Sequence, residues 1–331
     1  MKEKTILFEQ AFLSPYAKKS AETVGRLREE TPCDMRTDFQ RDRDRIIHCK
    51  AFRRLKNKTQ VFFSPEGDHY RTRLTHTLNV SQVARGIARA LSLNEDLTEA
   101  IALGHDLGHT PFGHAGERIL NSLNPNGFEH NVQSGRVVDV LENEGKGLNL
   151  TREVVDGIIN HKLSCTPQTL EGKAVSIADR IAYINHDIDD AIIGGFISFD
   201  DLPKDVIDVL GTSSSKRINA MIYSIYKASD GKNKVEMTPE IEDATMKLRE
   251  FMFERVYNQK ALKEEEERAS RMITALYDYY AKNIDKLPQI FKNRMESEGK
   301  DTILCDYISG MSDSYVVKTF DEIFVPRKWK V

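Results

Sequence analysis

The hydrophobic positions of this 331-residue chain recur mostly at helical spacing, and long alternating strand patterns are hard to find. The stretch 43–55 is typical, because Ile46, Ile47, Phe52 and Leu55 fall on one stripe of a helix. The pattern therefore predicts a mainly α-helical protein. Helices are predicted over residues 43–55, 75–91, 97–107, 151–161, 170–193, 216–228, 239–257 and 263–282.

The order of these helices predicts three parts of the chain. A helical core over residues 66–195 carries the chemistry, an N-terminal helical segment over 1–65 packs on it, and a C-terminal helical portion over 196–331 completes it. The run at 62–68 has the composition of a turn and is compatible with a short hairpin. No linker is flexible enough to separate independent domains, so one continuous structural unit is expected.

Composition narrows the class of protein. Hydrophobic residues make up 40% of the chain and charged residues 30%, which is ordinary for a globular protein and argues against wholesale disorder. The apolar run at 191–197 is far shorter than the roughly 18 residues that a membrane span needs, and no apolar signal-peptide stretch follows the N-terminus. The four cysteines form no CxxC pair. These features predict a cytoplasmic protein without a membrane segment.

Charge is distributed unevenly although the net charge is only −3. Residues 1–90 carry 19 lysines and arginines against 11 acidic residues, whereas residues 91–190 carry 16 acidic residues against 7 basic ones. An anionic ligand held by basic side chains beside a carboxylate-bound metal would explain this asymmetry, and so would two oppositely charged solvated surfaces. All nine histidines lie between positions 47 and 187, which favours the first explanation.

A concentration of histidine and acidic residues lies between positions 102 and 117. The predicted helix ends at the adjacent His105 and Asp106, and glycine and proline residues then break the helical pattern. The residues that can turn back toward the same point are His109, His114 and Glu117. Three histidines and two carboxylates within thirteen residues indicate a functional site rather than isolated core histidines.

Two histidines and two carboxylates would bind a divalent ion such as Mn, Fe, Ni, Zn or Mg, with positions left open for water. His76, three residues after Arg73 at the start of a predicted helix, is the expected second histidine. Asp179 is the expected second carboxylate, because an unpaired carboxylate in its apolar neighbourhood would be costly. Tyr183 and Asp187 follow Asp179 at i+4 and i+8, so the three share one helical face.

Longer strings resemble a known family. The pattern H…HD…D resembles the HD phosphohydrolase superfamily, and further strings are similar to its deoxyguanosine triphosphate triphosphohydrolase (dGTPase-like) family. The match runs from about residue 32 to the C-terminus. The strings are RDRDRIIH at 41–48, AFRRL at 51–55, KTQVF at 58–62, RTRLTHT at 71–77, GHDLGHTPFGHAGE at 104–117, FEHN at 128–131 and DYISGM at 306–311.

The resemblance implies roles for individual residues. Glu117 would orient or polarise His114, and the two match the catalytic pair of the family. His109 could instead have a structural role in its loop, and Tyr183 could belong to the core. The implied metal ligands are His76, His105, Asp106 and Asp179, the implied phosphate contacts are Arg73, His109 and His130, and the implied contacts to the deoxyribose 3′-hydroxyl are Gln60, Tyr183 and Asp187.

The resemblance also implies the reaction. A divalent metal (Mn, Mg, Fe, Ni or Zn) would support water attack on the α-phosphorus of dGTP or several deoxynucleoside triphosphates, releasing deoxynucleoside and inorganic triphosphate. His114 would either donate a proton to the 5′-oxygen or help to activate the water. A homo-oligomer is implied, and a dNTP or single-stranded DNA could act as effector.

Other functions stay open at the level of sequence. An HD-type phosphomonoesterase or cyclic-nucleotide phosphodiesterase would use the same metal. A regulator that binds dNTPs without turnover would show an impaired ligand set, and none is impaired here. The basic first ninety residues permit nucleic-acid binding, but no recognised motif for it accompanies them.

Overall fold

The structure is a computed structural model that describes residues 1–60 and 71–327 of the chain. Within these two ranges the backbone forms helices and no β-strand, which confirms the mainly α-helical fold class. The turn predicted at 62–68 lies outside the described residues. The helices are α1 (Lys2–Phe12), α2 (Asp38–His48), α3 (Lys50–Arg54), α4 (Arg73–Ala90), α5 (Glu95–Gly104), α6 (Gly113–Leu123), α7 (His130–Arg136), α8 (Glu142–Gly145), α9 (Arg152–Ile159), α10 (Leu170–Ile193), α11 (Lys204–Leu210), α12 (Ser214–Ser229), α13 (Pro239–Met252), α14 (Lys260–Lys282), α15 (Gln289–Lys292), α16 (Met295–Glu298), α17 (Lys300–Ser309) and α18 (Asp313–Phe324).

Most predicted helices agree with the structure. The prediction for 170–193 coincides with α10, and the prediction for 239–257 corresponds to α13 followed by a five-residue π-helical turn. The ends of five further helices, α4, α5, α9, α12 and α14, differ from the predicted ends by no more than three residues. Helical periodicity in a single sequence was therefore a sufficient signal for each helix of 14 residues or more that the structure describes, namely α4, α10, α12, α13 and α14.

The predicted single helix over 43–55 is wrong, because Cys49 interrupts it in an extended conformation between α2 and α3. The carboxylate of Glu142 accepts hydrogen bonds from the backbone N–H groups of Lys50 and Ala51 at 3.0 and 2.7 Å. These groups would otherwise be unsatisfied at a helix N-terminus, so a distant carboxylate stabilises the break. Ile47, which was predicted on the buried stripe, is 37% exposed.

Helix α5 lies at the centre of the main hydrophobic core. The side chain of Asn94 caps it by accepting a hydrogen bond from the backbone of Leu97 at 3.2 Å. Nearly every residue from Leu97 to Gly104 is buried, as expected for a helix that is apolar on all sides. Helices α2, α4, α9 and α10 pack around it. The C-terminal end of α5 is consequently held at a fixed place inside the protein.

A second hydrophobic cluster is centred on the C-terminal helices α14, α17 and α18. It contains Ile273, Ile303 and Val316, together with Leu120 of α6 and Phe128 just before α7. Helix α6 therefore packs on the C-terminal helices rather than on the main core. The division into parts at 1–65, 66–195 and 196–331 stays a prediction.

In the described part of the chain, we find no helix that combines the length and the apolar character required to cross a membrane.

Candidate active site

The end of α5 directs His105 into the protein. Its Nδ1 lies 2.7 Å from the carbonyl oxygen of Ala102, and a carbonyl can only accept, so Nδ1 carries the proton. The opposite ring nitrogen, Nε2, is buried and has no hydrogen-bond partner among the described residues. Helix α9 approaches closely here, because a Cβ on Gly104 would lie 2.4 Å from Cδ1 of Ile158. The hydrogen bond from Nδ1 to Ala102 fixes the direction in which Nε2 points.

Three segments converge on that nitrogen. Nε2 of His105 lies 3.4 Å from Oδ1 of Asp106 and 3.8 Å from Oδ1 of Asp179. His76, from the first turn of α4, places its Nε2 3.0 Å from the same Asp179 oxygen and 4.0 Å from Oδ2 of Asp106. We call these four residues the donor corner. The convergence that the sequence suggested is therefore present as a spatial arrangement.

The donor corner is electrostatically compensated by Arg73, which is only 2% exposed. Its guanidinium donates a hydrogen bond to Oδ2 of Asp106 at 2.7 Å. Burial alone would raise the pKa of Asp106, but the neighbouring imidazoles of His105 and His109 and the Arg73 guanidinium hold it well below its usual range. Asp106 is therefore ionised at the bottom of the site.

A second group lies nearer the surface, on α6. Nδ1 of His114 lies 3.2 Å from Oε2 of Glu117, and the His114 side chain is 64% exposed. We call these two residues the rim pair. Burial would raise the pKa of Glu117, but hydrogen bonds from His114 and His130 outweigh it and keep this pKa far below its usual range. Glu117 is thus a permanent negative charge beside an accessible imidazole.

A residue of the C-terminal helix α18 holds the start of α6 in place. Phe112, the residue before α6, has a left-handed backbone with φ of 60°, which is unusual for a side chain of its size. Asp313 of α18 accepts a hydrogen bond from the Phe112 N–H at 2.9 Å and others from the N–H and hydroxyl of Thr59. The rim pair is therefore positioned from outside the main core.

Behind the rim pair, His130 links α7 to the site. Its Nδ1 lies 2.9 Å from both carboxylate oxygens of Glu117, and its ring stacks on His109 with 4.1 Å between centroids. Its Nε2 lies 3.3 Å from Nε2 of His161, which follows α9. Gly108 permits this approach of α7, since a Cβ there would lie 2.2 Å from the backbone nitrogen of Ser134.

The donor corner, except for His105, and the rim pair open into one cleft of about 1530 Å³. On its far side, the Tyr183 hydroxyl accepts a hydrogen bond from Arg249 at 3.0 Å, and the Tyr257 hydroxyl donates one to Asp187 at 2.5 Å. Burial raises the pKa of Asp187 to about 7, although the Tyr257 hydrogen bond acts in the opposite direction. The amide oxygen of Gln60 is buried without a hydrogen-bond partner among the described residues.

The structure brings the predicted site residues together. His105 lies behind the wall, and the cleft itself is lined by Gln60, Arg73, His76, Asp106, His109, His114, Glu117, His130, Asp179, Tyr183 and Asp187.

Sequence reasoning missed other polar residues of the same cleft, among them His161, Lys162, Arg249 and Tyr257. A signal for His161 existed, because it lies at the end of a predicted helix as His105 does. In the structure its Nδ1 likewise donates a hydrogen bond to a carbonyl oxygen three residues earlier, that of Ile158. Arg249 and Tyr257 lie far along the chain on an otherwise ordinary amphipathic helix and its π-helical extension. Only tertiary packing reveals them.

The donor corner has the chemistry of a divalent-metal site. Two imidazole nitrogens and two carboxylates form a mixed N/O donor set, which suits Mn, Fe, Ni or Zn better than the all-oxygen set that Mg prefers. The unpartnered, buried Nε2 of His105 requires a cation or proton donor to compensate its desolvation. The donor corner therefore fits the ion that the sequence led us to expect.

Comparison with known proteins agrees with this geometry. The HD-domain family profile matches residues 73–184, and the profile of a phosphohydrolase-associated domain matches residues 235–322. A deoxyguanosinetriphosphate triphosphohydrolase-like protein of Caldanaerobacter subterraneus subsp. tengcongensis is 59% identical over 329 residues, which cover 99% of this chain and 97% of that protein. The chain belongs to the deoxyguanosinetriphosphate triphosphohydrolase-like family. The predicted family is thereby confirmed, and the chain is an HD-domain phosphohydrolase.

More distant relatives support the same family and fold. A protein of Geobacter sulfurreducens with the same family name is 39% identical and covers 96% of both chains. The solved structure of a phosphohydrolase from Bacteroides thetaiotaomicron aligns with a TM-score of 0.53 at 17% identity, covering 84% of this chain and 68% of that one. A hypothetical protein from Aquifex aeolicus aligns with a TM-score of 0.51 at 20% identity, covering 86% and 71%. These two structures show the fold alone.

Proposed function

We propose that the chain hydrolyses deoxynucleoside triphosphates to deoxynucleoside and inorganic triphosphate, with water attacking the α-phosphorus. The observation that carries the proposal is the donor corner at the bottom of a cleft that also contains the rim pair and several basic side chains. The names of the relatives indicate the nucleotide class. The cleft is large enough for a nucleotide with its triphosphate.

The proposed metal ligands are His76, His105, Asp106 and Asp179. A divalent ion, when bound there, would lower the pKa of a bound water and polarise a phosphoryl oxygen. The protein holds its donors ready for this, since the Nδ1 hydrogen bond of His105 to a backbone carbonyl leaves the Nε2 lone pair directed at the carboxylates.

Phosphate binding is assigned to the basic side of the cleft. Arg73 retains N–H groups beyond the one that it gives to Asp106, and it lies at the junction between the donor corner and Gln60. His109 and His130 complete the proposed phosphate contacts. Catalysis of phosphoryl transfer depends chiefly on such fixed donors, which spread the charge of the transition state.

The rim pair is the proposed acid–base group. The carboxylate of Glu117 accepts from Nδ1 of His114, so it orients the ring and stabilises the protonated imidazolium. Nε2 of His114 is then the atom that can deliver a proton to the leaving 5′-oxygen or hold the attacking water. Its exposure to the cleft gives the substrate access to it.

Sugar recognition is assigned to Gln60, Tyr183 and Asp187. The hydrogen bond from Arg249 holds the Tyr183 ring against the cleft wall, where it would leave no room for a ribose 2′-hydroxyl. The unpartnered amide oxygen of Gln60 is able to accept from the 3′-hydroxyl. Asp187 already accepts from Tyr257, so its contact to the sugar would use its second oxygen.

The test is incubation of the purified chain with each dNTP and with GTP, in the presence of Mn²⁺ or Mg²⁺, followed by separation of the phosphate products. Tripolyphosphate and deoxynucleoside are expected, with GTP turned over much more slowly than dGTP. Orthophosphate as the first product would instead indicate a phosphomonoesterase. A homo-oligomer, a nucleotide or single-stranded DNA effector and a cytoplasmic location stay predictions.

A further inference from the structure

Lys58 is a buried lysine to which the proposed reaction assigns no role. Only 2% of its surface is exposed, although lysine side chains are seldom buried without partners. Burial lowers the pKa of its ammonium to about 7, because a charge is costly to remove from water. The side chain does not line the cleft, so a substrate bound there would not touch it. The reason for its burial must therefore lie in its contacts within the protein.

The ammonium of Lys58 joins two backbone carbonyls from distant parts of the chain. One is the carbonyl of His109, in the loop between α5 and α6, and the other is that of Ser309, 2.8 Å away at the end of α17. Carbonyl groups in the last turn of a helix have no partner within the helix, so a cation is favourable there. Lys58 therefore ties the loop that carries His109 to the C-terminal helices.

The backbone next to this side chain connects the same parts of the fold. The carbonyl oxygen of Lys58 accepts a hydrogen bond from the N–H of Arg73 at 3.1 Å, at the start of α4. The next residue, Thr59, donates hydrogen bonds to the carboxylate of Asp313 on α18. The loop before α6 packs closely on Arg73, since a Cβ on Gly113 would lie 3.1 Å from its Nη2. Lys58 thus lies at a junction between α4, this loop and the C-terminal helices.

The ring of His109 depends on its backbone for its place more than three neighbouring histidines do. His105, His130 and His161 are each oriented by an acceptor at Nδ1. Nδ1 of His109 is buried and has no hydrogen-bond partner among the described residues. Its Nε2 is 3.7 Å from Oδ1 of Asp106, which is too far for a hydrogen bond. Stacking on His130 sets the tilt of the ring, and the position of the backbone must set the rest.

We propose that Lys58 is a positioning residue, whose ammonium sets the place of His109 in the cleft by holding its carbonyl oxygen against the end of α17. The inference rests on the proposed function only for the role of His109 as a phosphate contact. Its consequence is that the C-terminal helices support phosphate binding as well as the rim pair. Ser309 lies within residues 235–322, the region that the phosphohydrolase-associated profile matches.

Chemical labelling tests the position of His109 without a substrate. Diethyl pyrocarbonate modifies accessible imidazoles, and peptide mass spectrometry gives the rate at each histidine. In Lys58→Met, which keeps an apolar stem and removes the ammonium, His109 should be modified about fivefold faster than in the wild type, because its loop opens more readily. His161 is equally buried and has its own Nδ1 hydrogen bond, so its rate should not change. Lys56→Met, which alters an exposed lysine of the preceding turn, is the matched control and should resemble the wild type.

Two labelling results would overturn the proposal. One is an unchanged rate at His109 in a folded Lys58→Met protein. The other is an equal acceleration at His161, because the substitution would then have loosened the core as a whole. If Lys58→Met does not fold, Lys58→Gln decides by the same criteria. Its amide is a weaker and shorter donor to the two carbonyls, so an acceleration of about twofold at His109 is expected.

A double-mutant cycle tests whether Lys58 acts through His109. For dGTP hydrolysis, Lys58→Met should lower kcat/KM about tenfold in the wild-type background and less than about twofold in His109→Ala, since the misplacement of a side chain has no effect once that side chain is absent. Metal content should be the same in all four proteins. A tenfold loss that persists in the His109→Ala background would show that Lys58 supports other groups instead.

The two tests separate the inference from the proposed reaction. A wild-type protein that releases no triphosphate would contradict the reaction, and the labelling rates would still decide whether Lys58 positions His109. A Lys58→Met protein that releases triphosphate at the wild-type rate would contradict the inference alone.

Discussion

The donor corner and the rim pair use the same residue types in opposite surroundings. In the donor corner, His76 and His105 are almost fully buried, and Nδ1 of His105 donates a hydrogen bond to the backbone carbonyl of Ala102. In the rim pair, His114 is largely exposed, and its Nδ1 donates a hydrogen bond to the carboxylate of Glu117. A backbone carbonyl fixes a neutral ring with a directed lone pair, whereas a carboxylate also stabilises the charged ring. The first suits a ligand and the second suits a group that exchanges protons.

The two regions also rest on different parts of the fold. The donor corner is formed by α4, the end of α5 and α10, all of which belong to the main core. The rim pair stands on α6, which packs on the second cluster. Substitutions in the donor corner should therefore remove the bound metal, whereas substitutions in the rim pair should lower the rate and leave the metal bound.

Replacement of Asp106 by asparagine is expected to have the largest effect, because this carboxylate belongs to the donor corner and pairs with the buried Arg73. Bound metal should fall to near zero, and kcat/KM should fall by about 10⁴-fold or more, since several kcal/mol of transition-state stabilisation are lost. An unpaired Arg73 should also lower the free energy of unfolding by about 3–5 kcal/mol.

The matched control for Asp106→Asn is Asp208→Asn, which alters an exposed carboxylate on α11. It should keep both the metal, measured by mass spectrometry, and the activity. An Asp106→Asn protein that retains its metal and rate would show that the donor corner is not the metal site.

Replacement of His114 by alanine tests the other half of the comparison. The variant should bind the wild-type amount of metal, while kcat falls by about 10²–10⁴-fold, the usual contribution of a general acid or base. Ser122→Ala, on the exposed part of the same helix, is the control and should be unaffected. Loss of metal in the His114 variant would place both regions in one coordination site and remove the distinction.

Three members of the donor corner were predictable from sequence because they lie near the ends of predicted helices, and Asp179 was predicted from its apolar neighbourhood. His105 and Asp106 end a helix that periodicity identifies, and His76 begins another. The contacts of Asp187 with Tyr257 join helices 70 positions apart. The way in which α10 and the turn after α13 face each other is set by side-chain packing. The hydrophobic period of a single helix does not predict this packing.

Helix α6 was missed for a different reason. Its second glycine, Gly116, lowers helix propensity, and no periodic apolar run marks its start. That glycine is required by packing, because a Cβ there would lie 2.2 Å from the carbonyl oxygen of Pro111. The strings that resemble the family supplied the rim pair where local physical reasoning predicted only a broken helix.

Asp313→Asn should have a smaller effect that is confined to the rim. An amide retains one acceptor oxygen, so the bond to either Phe112 or Thr59 is lost and the start of α6 shifts. We expect kcat to fall about tenfold through misplacement of the rim pair, with metal content unchanged. Asp321→Asn, an exposed carboxylate on the same helix, is the control. Loss of metal from Asp313→Asn would show that the C-terminal helices support the donor corner too.

The last prediction concerns stability instead of rate. Asp187 lies two turns from Asp179 on α10 but pairs with Tyr257 instead of facing the cation donors. The pKa of its carboxyl is about 7 in the folded protein and about 4 in an unfolded chain. Between these values the unfolded state ionises more readily, so the wild type loses stability as pH rises from about 4 to about 7. Asparagine cannot ionise and escapes this loss.

The free energy of unfolding of Asp187→Asn, relative to wild type, should therefore increase by roughly 1–4 kcal/mol between pH 4.5 and pH 8. Urea denaturation at both pH values measures it. For Asp208→Asn, which alters an exposed carboxylate, the difference from wild type should be the same at both pH values. A pH-independent difference for Asp187→Asn would mean that Tyr257 and its surroundings solvate the ionised carboxylate as well as water does. Asp187 would then resemble the ionised carboxylates of the donor corner, and the contrast along α10 would disappear.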